Sequence, residues 1–314
     1  MISMNHGSGG VLTGKLINDV FFKHFDNEIL LKAEDSAVLD CNSKQFAMTT
    51  DSFVIDPIFF KGGDIGKLAV CGTVNDLTCV GALPKYLNCG FIIGEGFSIE
   101  TLEKIVISMA KTAKEANVKI VAGDTKVVEN HGLFINTSGY GEIISPLSIS
   151  NSKIGDKIIV TGFLGEHQAA IMSARMGISN NISSDVAPLH SLSSCLDGIH
   201  SMRDITRGGL VTVLNEICEK SHCGAKIYED SLPISQETKG FCDILGLEPI
   251  YMANEGKMLI IGDVNIDKIC QLPYCKNAAI IGEITAPSQL LLQTHIGGTR
   301  ILDPLYSEAL PRIC

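Results

Sequence analysis

The sequence predicts a mixed α/β protein of the α+β class, with two domains and a C-terminal tail. β-type runs alternate with helical stretches along its 314 residues, a length that accommodates two domains of ~100–200 residues each. Between two such series the composition turns polar, at Ser145, Pro146 and residues 148–153. We therefore expect domains over residues 1–150 and 151–300, followed by an irregular, flexible tail over 301–314.

The first half is expected to contain two helices and four strands. Asp64 is a typical N-cap for a helix that runs to about Cys79, with Gly81 and Pro84 as stop signals. Ser98 caps a second helix, whose apolar residues recur at helical spacing: Leu102, Ile105, Met109 and Ala113. The strands are expected at residues 45–50, ending at Asp51, at 86–93, at 119–122, which delivers Gly123 and Asp124, and at 133–144.

The second half begins with an expected strand at 157–161, a glycine turn at 162–165 and a helix at 168–176. Serine and asparagine are frequent in residues 179–194, which predicts a surface loop. Gly208 and Gly209 open a helix that runs to Lys220. Strands at residues 225–228, 257–261, 279–284 and 289–294 complete a mixed sheet.

Charge and hydropathy exclude several classes of function. A net charge of −10 argues against nucleic acid, whose phosphates require a basic surface, but permits a nucleotide bound through Mg²⁺. Charged residues or glycines interrupt every apolar run before the ~18 residues that span a membrane. Residues 1–10 lack the blocks of a signal peptide. We expect a cytoplasmic enzyme with no membrane partner.

The eleven cysteines include no CxxC motif. The closest pairs, Cys218 with Cys223 and Cys270 with Cys275, are spaced too widely for a zinc knuckle. Apolar neighbours predict buried thiols, which suits a reducing compartment, at Cys71, Cys79, Cys89 and Cys218.

Four aspartates are candidate functional residues: Asp35, Asp51, Asp76 and Asp124. Strand ends combine a fixed backbone with an open loop, and several carboxylates in one cleft would suit Mg²⁺, which prefers oxygen ligands. Each aspartate alone is better explained as a helix cap or a turn residue. Only the four together favour a site for a metal and a nucleotide.

Several weaker signals have two explanations each. Gly9 and Gly10, in a glycine-rich segment, could offer N–H groups to a phosphate or simply be flexible. Lys126, on a predicted loop, could bind phosphate or transfer a proton, or be a solvated surface lysine. Glu255 fits a functional carboxylate and a plain turn equally well. Residues 203–209 offer a helix N-terminus for an anion, or an ordinary capped helix.

The last residue, Cys314, is a terminal thiol that follows Pro311, Arg312 and Ile313. Its position alone favours a frayed chain end. The adjacent terminal carboxylate disfavours the thiolate, and Arg312 partly offsets that effect.

Seven segments, spread nearly end to end along the chain, together match a known family: residues 6–10, 50–54, 62–77, 123–128, 203–209, 253–257 and 310–314. With these segments the chain closely resembles the HypE family, the carbamoyl dehydratases of NiFe-hydrogenase maturation, in the superfamily of aminoimidazole ribonucleotide synthetase and selenophosphate synthetase. The aspartate motifs mark only the superfamily, whereas the ending at residues 311–314 is specific to the HypE family.

The resemblance implies a two-domain, aminoimidazole-ribonucleotide-synthetase-like fold. Its N-terminal domain would bind ATP and form a homodimer through its sheet, and the tail would reach into the cleft. Carried over by motif, Mg²⁺ and ATP would be held by Asp35, Asp51, Asp76 and Asp124, with Gly9 and Gly10 near phosphate. Lys126 and Glu255 would flank the modified Cys314. The implied partners are the carbamoyltransferase HypF as donor and a HypC–HypD complex as acceptor.

The implied activity is the ATP-dependent dehydration of a carbamoyl group on Cys314 to a protein-bound thiocyanate, the source of a cyanide ligand for the hydrogenase iron. ATP would phosphorylate the carbamoyl oxygen, and Lys126 or Glu255 would remove an N–H proton as phosphate leaves. Two rival interpretations stay open. Another enzyme of the superfamily would act on a free small molecule and need no terminal thiol. A non-catalytic carrier would need no Mg-ATP.

Overall fold

The computed structural model describes residues 1–3, 6, 11–32, 39, 44–129 and 132–304. Four of the candidate residues, Gly9, Gly10, Asp35 and Cys314, lie outside these ranges. Within them, the chain forms a four-stranded sheet from its first half and a seven-stranded sheet from its second half, with a separate pair of two-residue strands.

The first half contains helices and strands in this chain order: α1 (Val11–Leu16), a π-helical segment (Ile17–Phe22), α2 (Lys23–Phe25), a 3₁₀ turn (Leu30–Lys32), β1 (Phe46–Phe53), β2 (Phe59–Phe60), β3 (Gly63–Asp64), α3 (Ile65–Cys79), β4 (Ala82–Gly94), α4 (Ile99–Glu115), β5 (Lys119–Val128) and β6 (Leu133–Ile143). The four-stranded sheet has the order β1-β6-β4-β5. Strand β6 pairs antiparallel with β1 and β4, and β4 pairs parallel with β5.

Helices α3 and α4 begin where the sequence predicts. The Asp64 side chain accepts hydrogen bonds from the N–H groups of Gly66 and Lys67, and Ser98 accepts one from Thr101. These bonds satisfy donors that a helix start leaves unpaired. The predicted apolar residues of α4 are all buried, and they pack with α3 in the core under the sheet.

The opposite face of this sheet, here called the open face, is exposed. Alternate residues of β1 point away from α3, so Phe46 and Met48 are 55% and 70% exposed. Ile92 of β4 and Phe134 of β6 are 45% and 43% exposed. The open face therefore carries several large apolar side chains that the described part of the chain does not cover.

The second half contains the remaining elements: a 3₁₀ turn (Ile149–Asn151), β7 (Lys157–Val160), α5 (Glu166–Met176), a 3₁₀ helix (His190–Ser194), β8 (Ile199–Asp204), α6 (Gly209–Ser221), β9 (Gly224–Tyr228), a 3₁₀ turn (Glu229–Ser231), α7 (Gln236–Leu245), a 3₁₀ turn (Pro249–Tyr251), β10 (Met258–Gly262), α8 (Ile266–Cys270), β11 (Ala279–Thr285), β12 (Leu290–Gln293) and β13 (Thr299–Ile301). The sheet order is β13-β12-β9-β11-β7-β10-β8, and only β9 with β12 is a parallel pair.

Three of the predicted strands, β1, β4 and β5, are longer than expected, which changes where the candidate residues lie. Asp51 lies inside β1, and Pro84 lies inside β4, next to a register shift. Strand β5 continues to Val128, so Asp124 and Lys126 lie on a strand and not on a loop. Thr125 and Val127 are buried between exposed neighbours, the alternation of a strand with one covered face.

The prediction of a surface loop at residues 179–194 is wrong. Residues 184–189 are buried, and they pack against the first half of the chain. The Ser184 N–H donates to the Lys61 carbonyl oxygen at 2.8 Å, and the Ser193 hydroxyl donates to the Ala82 carbonyl oxygen at 2.8 Å. We call residues 182–193 the crossing segment, because it joins the two halves.

The cysteines are mostly inaccessible. Seven of the nine cysteines in the described ranges are buried, including the four predicted from their apolar neighbours. Burial raises the pKa of the Cys89 and Cys218 thiols to about 12. None of the helices in the described part of the chain is both long and apolar enough to cross a membrane.

Candidate active site

A cleft of about 830 Å³ lies between the two halves of the chain. Strand β1 and the C-terminal half of α3 form one side. The end of β8, the residues that follow it and Glu255 form the other side. Ionisable side chains from both halves therefore meet in one cavity.

Asp51 and Asp76 come from the first half. Asp51 lies on the α3 side of β1, close to Gly72, and Asp76 lies one helical turn after Gly72. The Asp51 carboxylate accepts a hydrogen bond from the Ser52 N–H at 2.7 Å, and Asp76 accepts one from Thr49 Oγ1 at 2.9 Å. Burial raises the pKa of both carboxyl groups, and these hydrogen bonds partly offset it.

Asp204 and Glu255 come from the second half. Asp204 ends β8, and burial, reinforced by the charge of Asp76, raises its pKa to about 7. Burial also raises the pKa of Glu255 well above its ordinary value, with Asp204, Asp185 and Asp51 adding to the effect. The cleft thus concentrates four carboxyl groups that disfavour each other's ionisation.

Two arginines oppose this negative charge. Arg207 lowers the pKa of Asp51 and Glu255, and Arg203 lowers that of Asp76 and Asp204. Arg203 also pairs with Glu216 of α6 at 3.2 Å. Both arginines line the cleft just before the N-terminus of α6. This side of the cleft can bind an anion such as phosphate, since guanidinium groups and helix N-termini both favour negative charge.

Asp124 and Lys126 lie elsewhere in the single chain. They form an ion pair of 3.3 Å on the open face of β5, with side chains 69% and 63% exposed. Asp51 points to the other face of the same sheet, and β6 and β4 separate the two strands. The structure brings together Asp51, Asp76 and Glu255, and it places Asp124 and Lys126 apart from them.

Sequence reasoning missed two features of this site. The sequence places Asp204 only within a segment that could bind an anion, because no strand is predicted over the residues that form β8. Asp185 and Lys257, which lie beside Glu255, are not among the predicted candidate residues. Asp185 stands in a polar segment that predicted a loop, so no local pattern could have found it.

The carboxylates suit Mg²⁺, although no three acidic, histidine or cysteine side chains in the described ranges are arranged to hold a metal ion alone. Mg²⁺ in nucleotide sites is usually held by one or two carboxylates, with phosphate oxygens and waters as the other ligands. Asp51 and Asp76 fit this role, because both offer oxygen atoms in a cleft whose excess negative charge a cation would relieve.

Comparison with known proteins identifies the family. The AIR synthase related protein models match residues 33–143 with their N-terminal domain and residues 153–293 with their C-terminal domain. The carbamoyl dehydratase HypE of Bradyrhizobium diazoefficiens is 42% identical over 332 residues, which covers 100% of this chain and 96% of that protein. The chain belongs to the HypE family of carbamoyl dehydratases.

Solved HypE structures agree with this assignment. A crystal structure of the hydrogenase maturation protein HypE in complex with ATP matches with a TM-score of 0.96 and 42% identity, covering 100% of both chains. A chain in a crystal structure of a HypE–HypF complex matches with a TM-score of 0.81 and 44% identity, over 94% of this chain and 100% of that chain. The predicted two-domain, aminoimidazole-ribonucleotide-synthetase-like fold is confirmed.

Proposed function

We propose that this chain uses ATP to dehydrate a carbamoyl group on Cys314 to a thiocyanate, which supplies a cyanide ligand for the iron of a NiFe hydrogenase. The observation that carries the proposal is the cleft, in which four carboxyl groups face two arginines. It supports a site for a nucleotide and a reacting group in a chain whose relatives are carbamoyl dehydratases.

Each side of the cleft has a role in this proposal. Asp51 and Asp76 would hold Mg²⁺, and by resemblance Asp35 and Asp124 would join them, with Gly9 and Gly10 near phosphate. When bound, Mg²⁺ neutralises charge on the phosphates. Arg203 and Arg207 would bind the phosphoryl group as it transfers.

The reaction balances in two steps. The carbamoyl oxygen attacks the terminal phosphorus of ATP, ADP leaves, and one N–H proton is lost. The C–O bond then breaks, phosphate leaves, and loss of the second proton gives S–C≡N. Glu255 suits the proton transfers, because burial raises its pKa well above the ordinary value, and a carboxyl group with a raised pKa is a stronger base than an exposed one. Lys126 is the alternative base.

A homodimer is part of the proposal. The open face supports it, since exposed apolar side chains that lie side by side, such as Phe134 and its cross-strand neighbour Ile92, are typical of an interface. Pairing through this face would bury the Asp124–Lys126 ion pair between two copies. These two residues would then serve a site formed by the dimer, which explains their distance from Asp51 within one chain.

Domain roles and partners complete the proposal. Residues 1–150 would bind ATP and dimerise, residues 151–300 would close the cleft, and residues 301–314 would carry the reacting thiol. The HypE–HypF complex of a relative supports HypF as the carbamoyl donor. A HypC–HypD complex would accept the cyanide, and the reaction would take place in the cytoplasm.

The test is the mass of the C-terminal peptide after incubation with HypF and carbamoyl phosphate, with and without Mg-ATP. We expect a carbamoyl adduct on Cys314 that loses one water only when ATP is present, and no adduct in Cys314→Ser. An adduct that never dehydrates would identify a carrier. Dehydration that persists in Cys314→Ser, or activity on a free small molecule, would refute the proposal.

A further inference from the structure

The crossing segment and α3 both hold the main chain of Glu255. The Asn75 side chain, 2% exposed and adjacent to Asp76, donates from Nδ2 to the carbonyl oxygens of Ala187 at 3.1 Å and Glu255 at 3.4 Å. Its Oδ1 accepts from the Leu189 N–H at 2.8 Å. One amide therefore ties α3, the crossing segment and Glu255 together.

Asp185 holds the other side of the same residue. Its Oδ1 accepts a hydrogen bond from the Glu255 N–H at 3.0 Å. Glu255 is thus fixed at its N–H by Asp185 and at its carbonyl oxygen by Asn75. The next residue is Gly256, where a Cβ atom would lie 1.9 Å from the Asp185 carbonyl oxygen, so only glycine permits this close approach.

The Asp185 carboxylate also takes part in a buried ion pair with Lys257. Lys257 Nζ lies 3.7 Å from Asp185 Oδ2, and the two side chains are 9% and 0% exposed. Lys257 also donates to the Gly256 carbonyl oxygen at 3.1 Å. Buried ion pairs contribute little net stability, because desolvation offsets their attraction. Stability alone is therefore a poor reason for a charged pair at this place.

We infer that Asp185 is a positioning residue for the dehydration, and that with Asn75 it orients Glu255 so that its carboxyl group faces the cleft. The inference rests on the proposed role of Glu255 in proton transfer. Because the two bonds hold both peptide groups of Glu255, losing one lets the carboxyl group shift. A displacement of about 1 Å at a reacting group can lower a rate by ~10²-fold.

Two double variants separate positioning from charge. Asp185→Asn with Lys257→Met keeps an oxygen acceptor for the Glu255 N–H, whereas Asp185→Leu with Lys257→Met does not. Neither variant leaves an isolated buried charge. We expect the Leu variant to dehydrate carbamoylated Cys314 ~10²-fold more slowly than the Asn variant, with the same KM for Mg-ATP and a somewhat lower Tm, since the buried Glu255 N–H loses its acceptor. Equal rates in the two would overturn the inference.

The variant Glu255→Gln distinguishes a failure of this inference from a failure of the proposed function. If Glu255→Gln dehydrates at the normal rate, the role of Glu255 is wrong, whatever Asp185 does. If Glu255→Gln is inactive and the two double variants are equal, only the inference about Asp185 is wrong.

Asp156→Leu is the matched control for losing a buried aspartate. Asp156 is 6% exposed, pairs with His200 at 2.8 Å and does not line the cleft.

Should the Asp185→Leu variant fail to fold, Asn75→Ser tests the other bond to Glu255. It is expected to lower kcat without changing the KM for Mg-ATP, and an unchanged kcat would count against the inference.

Discussion

Thr49 Oγ1 donates a hydrogen bond to Asp76 Oδ2 at 2.9 Å, which joins β1 to α3 at the edge of the cleft. The bond favours the ionised form of Asp76 and so opposes the burial that raises its pKa. The ionised form of Asp76, which a cation requires, is therefore favoured by a threonine that would not itself touch the metal.

Replacing this threonine is expected to weaken Mg-ATP binding. Thr49→Val keeps the shape of the side chain but removes a bond to a charged group, so Kd should rise by ~10-fold. The loss should be larger in acid than at neutral pH, because Asp76 then ionises at a higher pH. Calorimetric titration measures both values. Thr112→Val, which removes a buried bond to the Ser108 carbonyl oxygen, is the control, and equal effects of the two variants would contradict the prediction.

Asp204 should make the metal-free protein less stable as pH rises. Its folded pKa of about 7 lies above its ordinary value of 3.8, so the folded state holds the proton more tightly. The unfolded state ionises first, and stability falls between these two pH values, by about 2 kcal/mol for a partly exposed group. Asp204→Asn should flatten this slope, as measured by thermal unfolding across that range without Mg²⁺. A slope unchanged in Asp204→Asn would show that other groups cause it.

His167 should have the opposite effect in acid. The ring is fully buried, contacts Ser184 through Nδ1 at 2.7 Å and meets Phe60 edge-on. Burial lowers its pKa from 6.5 to about 3. Stability is therefore complete above the unfolded pKa and is lost as pH falls towards the folded one, by about 2 kcal/mol near pH 5.

Denaturation of His167→Gln in urea tests this expectation. The variant should be less stable at neutral pH, yet lose less stability than the unchanged protein on acidification. If His167→Gln and the unchanged protein lose stability in parallel, His167 does not control the acid limit.

A charge on the open face should dissociate the proposed homodimer. Met48 is 70% exposed there, and burying a carboxylate without a partner costs several kcal/mol. Met48→Glu is therefore expected to sediment as a monomer and to lose dehydration, since Asp124 and Lys126 would no longer meet a second copy. Ile296→Glu, at a position 82% exposed in the second half, should stay dimeric. A Met48→Glu dimer would place the interface elsewhere.

Local sequence patterns predicted the helices better than the site. Caps at Asp64 and Ser98, together with helical spacing of apolar residues, set the starts of α3 and α4, because those signals act within a few residues. The alternation around Asp124 and Lys126 was also present. However, the glycine and the charges suggested a loop, and only pairing with β4 shows that the strand continues.

The crossing segment shows what local patterns cannot predict. Serine, asparagine and aspartate usually indicate a solvent-exposed segment, yet Ser184 and Asp185 are buried. Their hydrogen-bond partners, Lys61 and Glu255, come from distant parts of the chain. Asp51 and Asp76 were found as candidates, but their meeting with Asp204 and Glu255 depends on how the two halves pack. Family resemblance, and not residue spacing, supplied the role of Cys314.

The burial of seven thiols would have a chemical consequence for a chain that, as proposed, carries its substrate on sulfur. A carbamoyl group held as a thioester can be attacked by a neighbouring thiolate, which would take over the carbamoyl group, and such transfer would scramble the product. Burial raises the pKa of seven cysteines, which suppresses their thiolates: Cys71, Cys79, Cys89, Cys218, Cys223, Cys242 and Cys275. Burial would thus keep these seven sulfur atoms unreactive and favour Cys314 as the site of the proposed modification.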